Sequence, residues 1–321
     1  MLSEIVSIMK SIDAQWQQRK RKVDTLSIFS LLSEGSIRRR GFAHILQERE
    51  DVFSDQALAQ ARKKLPRHCF REANKKVLRG DKGPRVFAID GSKVHVHPSY
   101  KKYGYKSRTN DKPVARPAIR PVGMLSSMLN VHTKACHDAV LTTHFNERKA
   151  AEELFLSTEP GDTVLFDRGY FSRRLVNEAE KSGLKFLFRL KRTACKSASS
   201  FWNSMCTDTV TMIPYEDTVL KVRLIKYFID GKKYMCATNM TLGRLQLKNM
   251  YSKRWTVETS FRRLKTDLSL ETSHSMTPLG FEQELEARIL LDTLSLKSAL
   301  GKVGKKSKSY LKALDTVVVA V

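Results

Sequence analysis

The stretch Thr163-Val164-Leu165-Phe166-Asp167-Arg168-Gly169-Tyr170 decides the fold. A short apolar run without polar alternation reads as a strand buried on both faces, and this one stops at an acid. Ahead of it Glu159-Pro160-Gly161-Asp162 is a turn. Behind it a helix covers about 171–182 and stops near Gly183, and Lys185-Phe186-Leu187-Phe188-Arg189-Leu190 is the next strand. Strand, helix, strand requires a parallel crossover.

Upstream, Arg85-Val86-Phe87-Ala88-Ile89-Asp90 is a second strand ending in an acid, and Val122 to Val131 and Asp138 to Phe145 are two more. Asn146 can cap a helix over Glu147 to Leu156. Three early strands followed by crossover units predict an α/β fold, a mixed sheet flanked by helices. Residues 1–80 read as helical: Val23 to Leu32 is apolar on one side, and Ser54 can cap a helix over Asp55 to Lys64 that ends before Pro66. Gly35 to Gly41 reads as a basic turn, suited to a DNA backbone or to an ordinary helical lid. Residues 193–243 change character. Strand-like runs at Thr209–Ile213, Val219–Phe228 and Tyr234–Ala237, with an Asp230-Gly231 hairpin turn, predict a β-rich insertion. Residues 244–300 return to helix, with Phe281 to Leu300 as one element, and 301–321 form a short tail with a basic start and an apolar Val317–Val321 end.

Charge narrows the partners. The 321 residues carry 58 Lys+Arg against 33 Asp+Glu, a net +25, and the pI is near 9.9. The excess is spread along the chain. It favours a polyanion, because neutralising phosphates releases condensed counterions. No apolar run is long enough to cross a bilayer and the N-terminus has no signal-peptide pattern, so no membrane partner is expected. Cys69, Cys136, Cys195, Cys206 and Cys236 include no CxxC pair and read as reduced thiols.

Asp90 and Asp167 sit at the ends of buried strands, and in a parallel pair those ends share one edge of the sheet. A third acid, Glu258, lies on a later helix. At about 100° per residue, Tyr251, Arg254, Glu258 and Lys265 fall within an arc of roughly 60°, beside an apolar stripe of Val257, Phe261, Leu264 and Leu268. Three converging carboxylates would hold protons at neutral pH unless cations join them. Hard oxygen donors suit Mg²⁺ or Mn²⁺, and two such ions can serve an in-line phosphodiester displacement. Arg254 and Lys265 can then grip phosphate oxygens. Taken singly, Asp90 and Asp167 could be turn-forming acids, and Glu258 an ordinary partner of Arg254 four residues away.

The spacing Y-x2-R-x3-E-x6-K, filled by Tyr251, Arg254, Glu258 and Lys265, resembles the signature of the IS4 family of DDE transposases. Asp90-Gly91-Ser92 resembles that family's first acid, and Asp167-Arg168-Gly169-Tyr170 its second. The resemblance runs over roughly 50–300. It implies a ribonuclease-H-like catalytic domain whose first part is 81–192, whose β-rich insertion is 193–243, and whose helices at 244–300 carry Glu258. Residues 1–80 would then be a DNA-binding region. It implies cut-and-paste transposition: hydrolysis at the element's end, strand transfer to target DNA, and a hairpin on the way. On it, Asp90, Asp167 and Glu258 hold two Mg²⁺ or Mn²⁺ ions. Tyr251, Arg254, Lys265, Arg168 and Trp202 contact DNA, Trp202 as the receiver of a flipped base or else as a core tryptophan. The expected partners are double-stranded DNA with terminal inverted repeats, target DNA, and a second copy of the chain in the DNA complex. An extended C-terminal oligomerisation domain is not expected. The expected location is the cytoplasm, on the nucleoid in a bacterium or in the nucleus of a eukaryote.

Other features stay open. His95 and His97 could pair on a metal or face solvent near DNA. Tyr100, Tyr103 and Tyr105, among Lys101, Lys102, Lys106 and Arg108, suit either base stacking or a solvated hairpin. Trp255 is expected to pack beside Arg254. Two rival functions also remain: a transposase-derived DNA-binding protein without catalysis, and a nuclease that cuts without joining.

Overall fold

All eight strands expected from the apolar runs are present, and they form one sheet in the order β3-β2-β1-β4-β5-β8-β7-β6. The computed structural model describes residues 2–17, 21–49, 53–79, 85–107, 120–273 and 275–300. Arg108, the basic stretch after Leu300 and the Val317–Val321 tail lie outside the described residues.

The chain opens with helices α1 (Leu2–Trp16), α2 (Thr25–Arg38), α3 (Phe42–Glu48), α4 (Asp55–Lys64) and α5 (Cys69–Leu78). Ser54 caps α4 as the sequence predicts, its hydroxyl accepting from the Ala57 N–H at 3.2 Å. The basic turn is shorter than read. α2 runs on through Gly35 to Arg38, and only Arg39 to Gly41 reverse the chain. Gly35 is there for space: a Cβ on it would stand 3.0 Å from the Phe42 ring. The turn's arginines are also engaged within the protein. Arg38 and Arg40 pair with Glu48, and Arg39 bonds Ser269 and the Thr266 carbonyl.

The sheet begins with β1 (Val86–His95), β2 (Val122–Asn130) and β3 (Cys136–Thr142), joined antiparallel. Helix α6 (Glu147–Leu154) follows, capped by the Asn146 side chain. Then come β4 (Thr163–Phe166), α7 (Arg173–Lys181) and β5 (Lys185–Arg189), with β1, β4 and β5 parallel. Side chains alternate between two cores. Val86, Ala88, Leu165 and Leu187 enter the cluster that contains the N-terminal helices. Phe87, Ile89, Val164, Phe166, Phe186 and Phe188 enter the one under α6 and α7. Burial on both faces is why these strands lack polar alternation. The rings of Phe166 and Phe188 stack at 4.4 Å.

The three strands expected over 193–243 are β6 (Asp208–Tyr215), β7 (Thr218–Ile229) and β8 (Lys232–Thr238). They make no sheet of their own: β8 pairs with β5 through Leu187–Thr238, Phe188–Ala237 and Arg189–Cys236, so the segment extends the central sheet. Asp230 and Gly231 both take positive φ, the geometry of a tight hairpin turn. A helix that the sequence reading missed, α8 (Lys196–Asn203), lies between β5 and β6. Its cap is a cysteine, Cys195, an unusual capping residue that gives little sequence signal.

The predicted signature helix is built in pieces: α9 (Arg244–Ser252), a 3₁₀ turn at Lys253–Trp255, α10 (Thr256–Arg262) and a π turn at Arg263–Asp267. Arg263 pins that turn to α11 (Pro278–Leu300), its guanidinium donating to both carboxylate oxygens of Asp292 at 2.8 and 2.9 Å. Helix α11 starts three residues earlier than expected, at Pro278, a residue suited to a first helical turn. Among the described residues no helix is long and apolar enough to cross a membrane.

Candidate active site

Asp90 is not at the end of its strand, as the sequence reading has it, but in the middle of β1. The parallel pairing of β1 with β4 stops at Ala88–Leu165, however, so beyond that point β1 has β2 beside it and an open flank where β4 ends. Asp167 follows directly on Phe166, the last residue of β4. The sheet therefore brings both acids to one edge through backbone pairing alone.

The signature residues arrive over this edge from α9 and α10. The Tyr251 hydroxyl lies 3.4 Å from Asp167 Oδ1. The Arg254 guanidinium, 7% exposed, reaches Asp90 Oδ2 through Nη1 and Glu258 Oε1 through Nη2, each at 3.3 Å. So one buried cation already stands between two of the three acids. Asp90 is also held by the Gly91 N–H at 2.9 Å. Burial pushes its carboxyl above the usual range; Asp167 and Glu258 add to this, against the Gly91 N–H and Arg254. Burial likewise lifts the Tyr251 hydroxyl, keeping it a neutral donor.

Lys265 turns elsewhere. It sits in the π turn, and its ammonium donates to the carbonyl of Lys93 on β1. Arg168 is exposed in the turn after Asp167. Trp202 is half-buried at the end of α8, packed on the second core, with the Lys233 ammonium 5.1 Å above its ring. Trp255 is exposed (66%) rather than packed, as the sequence reading expected. Tyr100 and Tyr105 are core residues in edge contact, 5.3 Å between rings, which leaves Tyr103 as the exposed tyrosine of that group. His95 is exposed at the end of β1 and the His97 ring bonds Ser99; among the described residues neither belongs to a cluster of three or more metal-ligating groups.

Sequence reasoning passed over Glu147, taking it only as the first residue of a helix. Its carboxylate faces the same place. A Cβ on Gly91 would be 3.1 Å from Glu147 Oε1, and a Cβ on Gly169 would be 3.9 Å from Oε2. Burial raises its pKa, and so do Asp90 and Asp167. Tyr170 was also passed over. It is 1% exposed, and its hydroxyl has no hydrogen-bond partner among the described residues. The charges that act on it are those of Glu147, Asp90, Arg254 and Asp167. The glycines near the aspartates, Gly91 one residue after Asp90 and Gly169 two after Asp167, were the available signal.

These residues fit divalent ions in chemistry: the donors are hard oxygens, a cation is already accepted between Asp90 and Glu258, and a buried hydroxyl is left unpaired beside them. The three acids do not all lie within 4.8 Å of one another. Among the described residues only His68, Glu282 and Glu286 do so, and there the His68 ring is bonded to both glutamates, an ion-pair clamp between α5 and α11. The cavity of about 560 Å³ at the other end of the sheet, lined by Arg85, Asn130 and His137, holds none of the three acids.

Comparison with curated proteins gives no match. The chain is similar to a solved structure described as a piggyBac transposase synaptic complex with hairpin DNA, at 13% identity and a TM-score of 0.47, covering 99% of this chain and 77% of that one. The family model for the transposase DDE domain matches residues 81–291, which include both aspartates and the whole signature from Tyr251 to Lys265. The chain therefore belongs to the transposase DDE-domain family and is a DDE-type transposase.

Proposed function

We propose that the chain is a transposase of the IS4 type that hydrolyses a phosphodiester at a transposon end and joins the freed end to target DNA, with Asp90, Asp167 and Glu258 holding two Mg²⁺ or Mn²⁺ ions. One observation carries the reading: acids from β1 and α10 share a single buried guanidinium, and the charge of the acid at the end of β4 acts on that same group. The Y-x2-R-x3-E-x6-K spacing supports the IS4 assignment. Bound divalent ions supply activation of the attacking oxygen and stabilisation of the leaving one.

The chain's own residues do the rest. Asp90 and Asp167 are set by the sheet, so their separation is rigid, while Glu258 rides on a short helix that can adjust. Arg254 neutralises Asp90 and Glu258 until cations replace it, and its planar fork is then free to take two phosphate oxygens. Tyr251, buried in the first core, positions Asp167 by its hydroxyl, and on the IS4 reading it meets DNA beside the cut. Lys265 steadies β1 through Lys93 in the state described, and moves to phosphate with DNA bound. Arg168, exposed beside Asp167, takes a flanking phosphate. Trp202 lies on the strand-rich segment where a displaced base would stack, and a hairpin intermediate is the expected use of it. Double-stranded DNA with terminal inverted repeats is the substrate, and two copies of the chain act on a pair of ends. Residues 1–80 serve as the end-binding region and 193–243 as the hairpin-facing insertion.

The test is cleavage of duplex DNA bearing a terminal inverted repeat from the gene's own flanks, with Mg²⁺. Glu258→Gln should lose at least about 10²-fold in rate while still binding the duplex; cleavage at the wild-type rate sinks the assignment of Glu258. The rival reading is a DNA-binding derivative without catalysis. Tight binding with no metal-dependent cleavage of any end would select it. Cleavage without joining of a pre-cut end would select a nuclease.

A further inference from the structure

We infer that Glu147 is a fourth carboxylate of the metal site, held there by the two glycines that accompany the aspartates. The inference rests on the three-acid reading above and adds a residue to it. Asp90 and Gly91 are neighbours on β1, so their side-chain positions point to opposite faces of the sheet. Asp90 meets Arg254 from the α10 side. Gly91 faces α6, and its missing side chain is the space that Glu147 fills. A Cβ there would stand 3.1 Å from Oε1 and 3.2 Å from Cγ of Glu147.

The second glycine closes the other side. Oε2 of Glu147 lies 3.9 Å from the Cβ position of Gly169, in the turn that follows Asp167. Arg148, the next residue of α6, donates through Nε to the Gly169 carbonyl at 3.0 Å and ties that turn to the helix. The N-cap from Asn146 to the Lys149 N–H, at 3.2 Å, holds the start of α6 in register. Glu147 is therefore placed by three local devices against the strand that carries Asp90 and beside the turn that follows Asp167, and the charges of both aspartates act on it.

A half-buried carboxylate beside two others is costly unless something positive joins it. Arg254 does not do so: its bonds go to Asp90 and Glu258. Among the described residues the cation whose charge acts on Glu147 is Arg148, and its Nε donates to the Gly169 carbonyl rather than to the carboxylate. The Tyr170 hydroxyl, three residues after Asp167 and 1% exposed, has no partner among the described residues, and Glu147 is the strongest charge acting on it after burial. A carboxylate whose nearest cation is engaged elsewhere and a hydroxyl without a partner, on the α6 side of the aspartates, mark a place where a cation and its bound oxygens are accepted. Glu258 and Glu147 thus serve opposite sides of the Asp90–Asp167 pair.

The experiment is a calorimetric titration of the full chain with Mn²⁺ in the absence of DNA, so that the readout is binding and not turnover. Glu147→Gln keeps shape and hydrogen bonding but loses the charge; it should weaken Mn²⁺ binding by about 10-fold or more. Glu147→Asp keeps the charge and should fall between Gln and wild type, which a purely structural role would not produce. If both variants bind Mn²⁺ as wild type does while Asp90→Asn binds weakly, the inference about Glu147 fails alone. If Asp90→Asn and Asp167→Asn also bind as wild type does, or wild type takes up no Mn²⁺ at millimolar concentration, the three-acid reading itself is overturned. Melting curves of the variants report whether each is folded, and Glu147→Asp stands in should Glu147→Gln not fold.

Discussion

Arg254 and Asp90 are 164 residues apart in the chain and 3.3 Å apart in space, and the same guanidinium holds Glu258 at an equal distance. Two of the acids proposed for catalysis are thus kept from repelling one another by a residue of the signature itself. Removing that cation should hurt the protein before any DNA is present. Arg254→Ala is expected to cost about 2 kcal/mol, less than for a fully buried pair because Asp90 and Glu258 are partly exposed. Mg²⁺ should restore more stability to this variant than to wild type. Equal melting temperatures for the two proteins in chelator would contradict the relationship.

The π turn beyond Glu258 depends on a salt bridge with both partners buried. Asp292 is fully buried and Arg263 nearly so. Arg263→Ala leaves a carboxylate without its fork inside the core, at a cost of about 3–5 kcal/mol. Chemical denaturation of wild type and variant would measure it. A change under about 1 kcal/mol would mean that α11 does not anchor the turn.

The His68 clamp between α5 and α11 sets a pH dependence. A hydrogen bond to Glu286 raises the His68 pKa above its ordinary 6.5. A histidine favoured as a cation when folded contributes fully below about pH 6.5, and the contribution is lost as pH rises through the raised value. Burial lifts the Glu286 carboxyl although His68 pulls it down, and a carboxyl that resists ionisation when folded also costs stability as pH rises. The two slopes have the same sign. Melting temperature should therefore fall between about pH 6 and pH 8, by an amount worth up to ~1 kcal/mol, and His68→Gln should flatten the fall. Parallel curves would refute the clamp.

DNA binding should be steeply dependent on salt. With a net charge of +25 and on the order of 6–10 phosphate contacts, affinity should drop about 10³–10⁵-fold between roughly 50 and 200 mM salt. Fluorescence anisotropy with a labelled end duplex measures it. Arg168→Ala should lower the slope by about one; an unchanged slope removes Arg168 from the interface.

Local chemistry made much of this protein legible in one dimension. Strands buried on both faces announce themselves as unbroken apolar runs, Ser54 and Asn146 mark helix starts by what their side chains accept, and Asp230-Gly231 marks a hairpin by its backbone needs. The common face of Tyr251, Arg254 and Glu258 follows from helical period. Tertiary structure alone decided what depends on neighbours remote in the chain. The pairing of β8 with β5 joined the strands of 193–243 to the central sheet, and the Phe42 ring packs where a side chain on Gly35 would stand. The approach of Glu147 to Gly91 and Gly169, and the turning of Arg254 toward Asp90, belong to the same class. Periodicity and capping act within a turn or two of helix or strand, whereas the meeting of side chains from separate elements is set by sheet order and packing, which no local pattern encodes.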